Sequence, residues 1–110
     1  MALPHAQPLH VIDVRPLGAG LRDAVTTSLL KTQALQLMHL ALPAGQGLPE
    51  HSVPGAITVQ CLEGDTVVTT PSRTCKSSAG QPVVLDGSDP HALKATSDST
   101  LLVTVLLHIP

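Results

Sequence analysis

The sequence predicts an all-β domain, built as a sandwich or barrel of short strands. Ten prolines and eight glycines interrupt the chain at short intervals, and the runs between them are rich in Val, Leu and Thr. Those residue types favour strands, and closely spaced turn residues are typical of antiparallel sheets. No Phe, Tyr or Trp occurs, so Leu and Val must fill the core, which favours many thin strands packed face to face.

Eight strands follow from the apolar runs and the turns between them. Gly, Asp and Pro in segments 43–47, 63–65, 77–80 and 86–90 mark tight reversals. Segment 27–42 has many helix formers, but its apolar positions run almost continuously, and Pro43 favours a strand that ends there. The predicted strands are Val11–Val14, Thr26–Leu30, Ala34–Leu42, Ile57–Leu62, Asp65–Thr70, Pro82–Asp86, His91–Ala95 and Thr100–His108.

Length and charge exclude several classes of protein. A chain of 110 residues is the usual size of one compact domain. The formal net charge is −2 and the six Lys and Arg are not clustered, so a nucleic-acid partner is not expected. No apolar stretch is long enough to span a bilayer, and Asp13 and Arg15 interrupt any signal peptide. Two cysteines make no disulfide framework. We therefore expect a cytoplasmic protein without a membrane partner.

The last predicted strand is apolar on both of its faces. Residues 101–107 read Leu-Leu-Val-Thr-Val-Leu-Leu, whereas a strand with one solvated face alternates apolar and polar residues. Two interpretations remain open. Either a second copy of the chain covers the outer face in a homodimer, or residues 11–30 fold back over it. We expect residues 1–30 to form N-terminal strands or an arm that packs on a barrel of residues 31–110.

Two glycine-to-histidine spacings point to a known family. Five residues separate Gly45 from His51, Gly64 follows His51 by thirteen positions, and Gly80 precedes His91 by eleven. Residues 45–64 and 80–91 thereby resemble the two motifs of the cupin family, in particular its small single-domain (RmlC-like) members. The resemblance covers about residues 35–107 and implies a double-stranded β-helix, which is a jelly-roll-like barrel.

The same resemblance implies a degenerate metal site. In metal-binding cupins, two His and a Glu of the first motif and a His of the second converge inside the barrel. The matching residues here are His51, Val53, Ile57 and His91, so two of the four ligands are replaced by aliphatic side chains. Cys61, on the same strand face as Ile57, and Glu50, beside His51, are the candidate third ligands. One divalent ion is possible in principle, and weak or absent binding is expected because two imidazoles seldom suffice.

Three functions stay open. The first is the binding of a small, largely hydrophobic molecule in a pocket that the two imidazoles orient. The second is a metal-dependent enzyme of the dioxygenase or isomerase type. The third is a non-catalytic structural or regulatory homodimer. Cys61 is also readily explained as a small buried apolar residue. The predicted pocket consists of His51, Val53, Ile57, Cys61 and His91.

Overall fold

The computed structural model describes residues 6–107. The first five residues of the predicted arm and the last residue of the predicted strand Thr100–His108 lie outside this range. No helix within the described part of the chain is long and apolar enough to cross a membrane. The elements are a 3-10 helix, Gly18–Asp23, and strands β1 Thr27–Lys31, β2 Leu35–Leu42, β3 Gly47–His51, β4 Ile57–Glu63, β5 Asp65–Thr69, β6 Thr74–Ser78, β7 Pro82–Leu85, β8 His91–Ala95 and β9 Ser99–Leu106.

The strands form two antiparallel sheets, which confirms the all-β prediction. One sheet has five strands in the order β1-β2-β9-β4-β7, and the other has four in the order β3-β8-β5-β6. The buried cluster between them takes Leu40, Val59 and Leu101 from the first sheet and Val68 and Leu93 from the second. Alternate residues of β4 and β9 point inward, as the period of a strand requires.

One predicted strand is absent from the structure, and two observed strands were not predicted. Residues 11–14 form no strand, and Val11 is 97% exposed because it packs against no core. Strand β3 was not predicted because it contains Gly47 and Pro49, which weaken a strand interior; β3 lies at a sheet edge, where Pro is tolerated. Strand β6 was not predicted because it is mostly polar. It is also an edge strand, and its backbone pairs with β5.

A carboxylate attaches the N-terminal segment to the barrel. Glu63 accepts hydrogen bonds from the backbone N–H groups of Leu17 at 2.7 Å and Gly18 at 3.1 Å, and from the hydroxyl of Thr100 at 2.9 Å. The 3-10 helix that follows contacts β2 and buries Leu21 almost completely. The N-terminal segment therefore packs on the outer face of the five-stranded sheet at one end. The domain boundary predicted after residue 30 falls inside β1, which is a strand of this sheet.

His39 lies on that outer face, beside the attachment point. It pairs in register with Leu102 of β9, and its Nε2 atom is buried with no hydrogen-bond partner in residues 6–107. Burial lowers the pKa of His39, and the negative charge of Glu63 opposes this only in part. Burial acts to raise the pKa of Glu63, but its hydrogen bonds from Leu17, Gly18 and Thr100 hold that pKa below the usual range. Neutral His39 beside charged Glu63 is thus the form that the fold favours.

The turns contain glycines that other residues could not replace at equal cost. Gly64 and Gly80 both have φ of +86°, the left-handed region that L side chains rarely adopt. They differ in the space around them. A Cβ at Gly64 would overlap the carbonyl oxygen of Asp98 and Oγ of Ser99, whereas a Cβ at Gly80 would meet nothing within 4 Å. Gly64 is therefore required for conformation and for close packing, and Gly80 for conformation alone.

We expect Gly80→Ala to lower the free energy of unfolding by about 1–2 kcal/mol, the cost of a left-handed residue with a side chain. Gly64→Ala should lower it by about 1–3 kcal/mol more, because the added methyl group must displace its neighbours. Urea denaturation of both variants measures the difference. Equal losses would show that the packing around Gly64 relaxes freely.

His39 should make stability depend on pH. Since its pKa is lower in the folded chain than in the unfolded chain, its contribution is present above about pH 6.5, the unfolded value. That contribution is lost as the pH falls through the folded pKa. We expect His39→Leu to flatten the change in urea midpoint between pH 7.5 and 5. His10→Gln, which replaces an exposed histidine, is the control, and a slope unchanged by His39→Leu would contradict the assignment.

Candidate ligand-binding site

A cavity of about 170 Å³ lies between the two sheets. Three of its lining side chains are polar, namely Gln36, His51 and His91, and the rest are aliphatic or Met. Val103 and Val105 of the central strand β9 are two of the apolar residues that line the cavity. The other lining residues are Met38, Leu40, Leu48, Val53, Ile57, Val59, Leu93 and Leu107. The site is an apolar space with a few polar groups, which is the usual character of a small-molecule pocket.

The two histidines face each other across a pair of neighbouring strands. His51 ends β3 and His91 begins β8, and the two residues are partners in the β3–β8 register. Their ring centroids are 4.4 Å apart, with the planes tilted by 59°. His91 is only 3% exposed, whereas His51 is exposed. One imidazole thus lies inside the barrel and the other at its opening.

A β-bulge determines which side chain of β3 faces the cavity. Leu48 pairs with Leu93, but the next pair is His51 with His91, so β3 uses one residue more than β8 over the same distance. Without the extra residue, alternation would place Glu50 on the inner face with Leu48. With it, Leu48 and His51 line the cavity and Glu50 is exposed. The bulge therefore replaces a carboxylate with an imidazole in the site.

Backbone carbonyl groups favour one tautomer of both neutral rings. Nδ1 of His51 lies 3.0 Å from the carbonyl oxygen of Pro49, and Nδ1 of His91 lies 3.1 Å from that of Asp89. A carbonyl oxygen can only accept a hydrogen bond, so each neutral ring carries its proton on Nδ1 and donates it there. Nε2 then has a free lone pair. In both rings, Nε2 is then the nitrogen that carries no proton, and both residues line the cavity.

The loop after β7 closes the same end of the barrel. Ser88 has φ of 70°, and its backbone N–H donates to the carbonyl oxygen of Val53 at 2.7 Å. Gly87 packs so closely on Pro54 that an added Cβ would overlap its carbonyl oxygen. This contact joins the loop before His91 to the segment after His51. The two parts of the chain that resemble the cupin motifs therefore meet at the mouth of the cavity.

The structure brings four of the five predicted pocket residues together. His51, Val53, Ile57 and His91 line the cavity, and Cys61 does not. Cys61 points inward like Ile57, but four residues of strand, about 13 Å, separate them. Its Sγ donates to the carbonyl oxygens of Glu63 at 3.3 Å and Gly64 at 3.4 Å, and burial raises its pKa. Cys61 is a fully buried core residue at the far end of the barrel.

The residues present do not fit a resident divalent metal. Val53 and Ile57 stand at two of the four ligand positions that the cupin resemblance assigns. Glu50 is exposed and Cys61 is remote from the histidines. Within residues 6–107, no three His, Cys, Asp or Glu side chains are grouped so that they could hold a metal ion. Two neutral imidazoles alone would leave the charge of a divalent ion unbalanced.

Several lining residues were not predicted as part of the site. Met38 and Leu40 come from β2, and Val103 and Val105 from β9. Strand alternation places Met38 and Leu40 on one face of β2, yet no motif indicates that this face borders the histidines. Gln36 is the least expected lining residue. Inward positions of a strand are recognised in a sequence by their apolar residues, and Gln36 is polar. Its amide nitrogen donates one hydrogen bond, to Oγ of Ser28 at 2.9 Å.

Comparison with known proteins yields structural similarity alone. No protein-family model matches the sequence, and no curated protein is significantly similar to it. A Streptococcus pyogenes protein of unknown function has a TM-score of 0.77 at 24% identity, covering 100% of this chain and 97% of that one. A cupin superfamily protein from Desulfitobacterium hafniense has a TM-score of 0.74 at 17% identity, covering 98% and 97%. An RmlC-like cupin from Desulfovibrio desulfuricans has a TM-score of 0.74 at 25% identity, covering 88% and 97%.

Proposed function

We propose that this chain, a small protein of the cupin fold, binds a small and largely apolar molecule between its two sheets. The fold itself, predicted from the Gly-to-His spacings, is confirmed. The observation that carries the proposal is the cavity of about 170 Å³, lined by aliphatic side chains and by two imidazoles whose Nδ1 atoms lie within hydrogen-bond distance of backbone carbonyl oxygens. Apolar cavities of about 150 Å³ in other proteins take up benzene or xenon. The expected ligand is therefore of benzene size.

A metal-dependent dioxygenase or isomerase is the alternative that the cupin resemblance implies. Such an enzyme needs an ion that activates oxygen or polarises a carbonyl group. His51 and His91 would supply two neutral ligands, but Glu50 is exposed and Cys61 lies at the far end of the barrel. The replacement of a carboxylate by Ile57 removes the group that best balances a divalent charge. Ligand binding without a metal explains the same residues and does not require the third metal ligand that the site lacks.

A homodimer is a second proposal, and it rests on a different surface. Leu35 pairs with Leu106, and Leu37 with Thr104, on the outer face of the five-stranded sheet. Leu106 is 43% exposed, and Leu35, Leu37 and Leu102 are half-buried. The N-terminal segment packs at the other end of this face, near Glu63 and Thr100. A second copy packed on the uncovered leucines would bury an apolar patch of the kind that marks interfaces.

Filling the cavity should abolish binding. We expect benzene to raise the melting temperature of the unmodified chain, since a ligand that binds only the folded state stabilises it by mass action. Val53→Phe places a ring at the half-buried edge of the cavity and should remove most of that increase. Val25→Phe, which adds the same ring at a site that is 77% exposed, is the control. Equal increases in all three proteins would contradict binding in this cavity.

The dimer is tested by light scattering at micromolar concentration. We expect a mass of about twice the 11.4 kDa of one chain, because pairing buries the outer leucines. Leu106→Lys should shift the mass to that of one chain, since it places a charge in the apolar interface. Val11→Lys, at a position that is 97% exposed in the N-terminal segment, should leave the dimer intact. A single-chain mass for the unmodified protein would reject the dimer.

A further inference from the structure

The polar atoms that the histidines offer to the cavity are both hydrogen-bond acceptors. Each Nδ1 donates its proton to a backbone carbonyl oxygen two residues earlier, Pro49 for His51 and Asp89 for His91. Each neutral ring then has a lone pair at Nε2 and no second N–H group. The partner that these atoms need is a donor. A bound molecule that brings only acceptors would leave them unpaired in an apolar space.

Among the described residues, no Lys or Arg lines the cavity. Lys31, which pairs with Gln36 in the β1–β2 register, is exposed to solvent. Segments 47–57 and 85–93, which contain both histidines, have no Lys or Arg, and they contain Glu50, Asp86 and Asp89. Gln36, the other polar residue of the lining, donates one of its two amide N–H groups to Oγ of Ser28 and has no formal charge. The remaining lining residues are aliphatic or Met. An anion would lose its hydration without gaining an opposite charge, which is costly.

We infer, on the basis of the proposed function, that the ligand is an uncharged, benzene-sized molecule that donates a hydrogen bond to Nε2 of His51 or His91. Phenols and compact alcohols form this class. Buried His91 provides the acceptor inside the barrel, and exposed His51 provides one at the opening. The carbonyl groups of Pro49 and Asp89 determine the specificity for ligands that donate a hydrogen bond, because they hold both rings in the tautomer that accepts at Nε2.

The inference separates molecules of the same size and shape. Phenol, toluene and fluorobenzene are nearly isosteric, but phenol alone donates a hydrogen bond. A purely apolar cavity favours toluene over phenol, because the hydroxyl group loses its hydrogen bonds to water and gains none. A cavity with a free Nε2 compensates for that loss, because the hydroxyl group of phenol can donate a hydrogen bond to this nitrogen. The order of affinity between phenol and toluene therefore reports whether an acceptor faces the ligand.

The experiment is calorimetric titration with phenol, toluene, fluorobenzene and benzoate at pH 8, where free imidazole side chains are neutral. We expect phenol to bind most tightly and benzoate not to bind measurably. In His91→Leu, the preference for phenol over toluene should fall at least tenfold and reverse. His51→Leu, which changes an exposed side chain, should reduce the same ratio and serves if His91→Leu does not fold. Nitrogen NMR of the unmodified chain should show the Nε2 resonance shifting with phenol and not with toluene.

The outcomes distinguish this inference from the proposed function. If toluene and fluorobenzene bind at least as tightly as phenol, the cavity binds small molecules and the donor requirement is wrong. If benzoate binds as tightly as phenol, the inference that the ligand is uncharged is wrong. If the phenol preference survives in the double variant His51→Leu/His91→Leu, another group provides the acceptor and the assignment to Nε2 is overturned. If no probe binds, the proposed function itself fails.

Discussion

The structure depends on packing two sheets together with no aromatic side chain. The chain has no Phe, Tyr or Trp, and the buried cluster consists of Leu, Ile, Val, Ala and Cys. Facing sheets lie about 10 Å apart, a distance that interdigitating side chains from both inner faces must fill. Leu and Val do so at the end of the barrel that contains Cys61 and Leu101, both fully buried. At the other end, between Met38 and the two histidines, they leave the cavity.

Local irregularities at that open end build the site. The bulge in β3 turns His51 inward in place of Glu50, and the hydrogen bond from Ser88 to Val53 holds the loop before His91 against the segment after His51. Regular sheet pairing would provide neither the inward orientation of His51 nor the hydrogen bond from Ser88. The regular strands β4 and β9 supply only the apolar wall. The arrangement follows a general division in proteins, in which rigid elements support functional residues on loops and strand ends.

The sequence predicted the fold class and most of the strands, because the alternation in β4 and the turn glycines are strong local signals. It did not predict β3 and β6, since an edge strand is held by backbone pairing and needs little apolar character. The spacing to His51 and His91 did indicate a shared site. The sequence could not predict how far Cys61 lies from the histidines, or that Met38 and Gln36 line the cavity. Both depend on the β2–β9–β4 register and on which strand faces the histidines.

The aliphatic residues and the histidines of the site act in opposite directions on stability. Val53 and Ile57 make the interior apolar, whereas Nε2 of each histidine is a polar atom, which would cost about 1–3 kcal/mol if a bound molecule excluded water from it without giving it a partner. The Nδ1 atoms are already satisfied by Pro49 and Asp89, so the backbone cannot relieve that cost at Nε2. Leucine at position 91 would pack the same space without it. Local departures from the best-packed arrangement are expected at functional sites rather than in ordinary cores. This supports the proposed role of the two histidines in ligand binding, whereas the residues around Cys61 form the core.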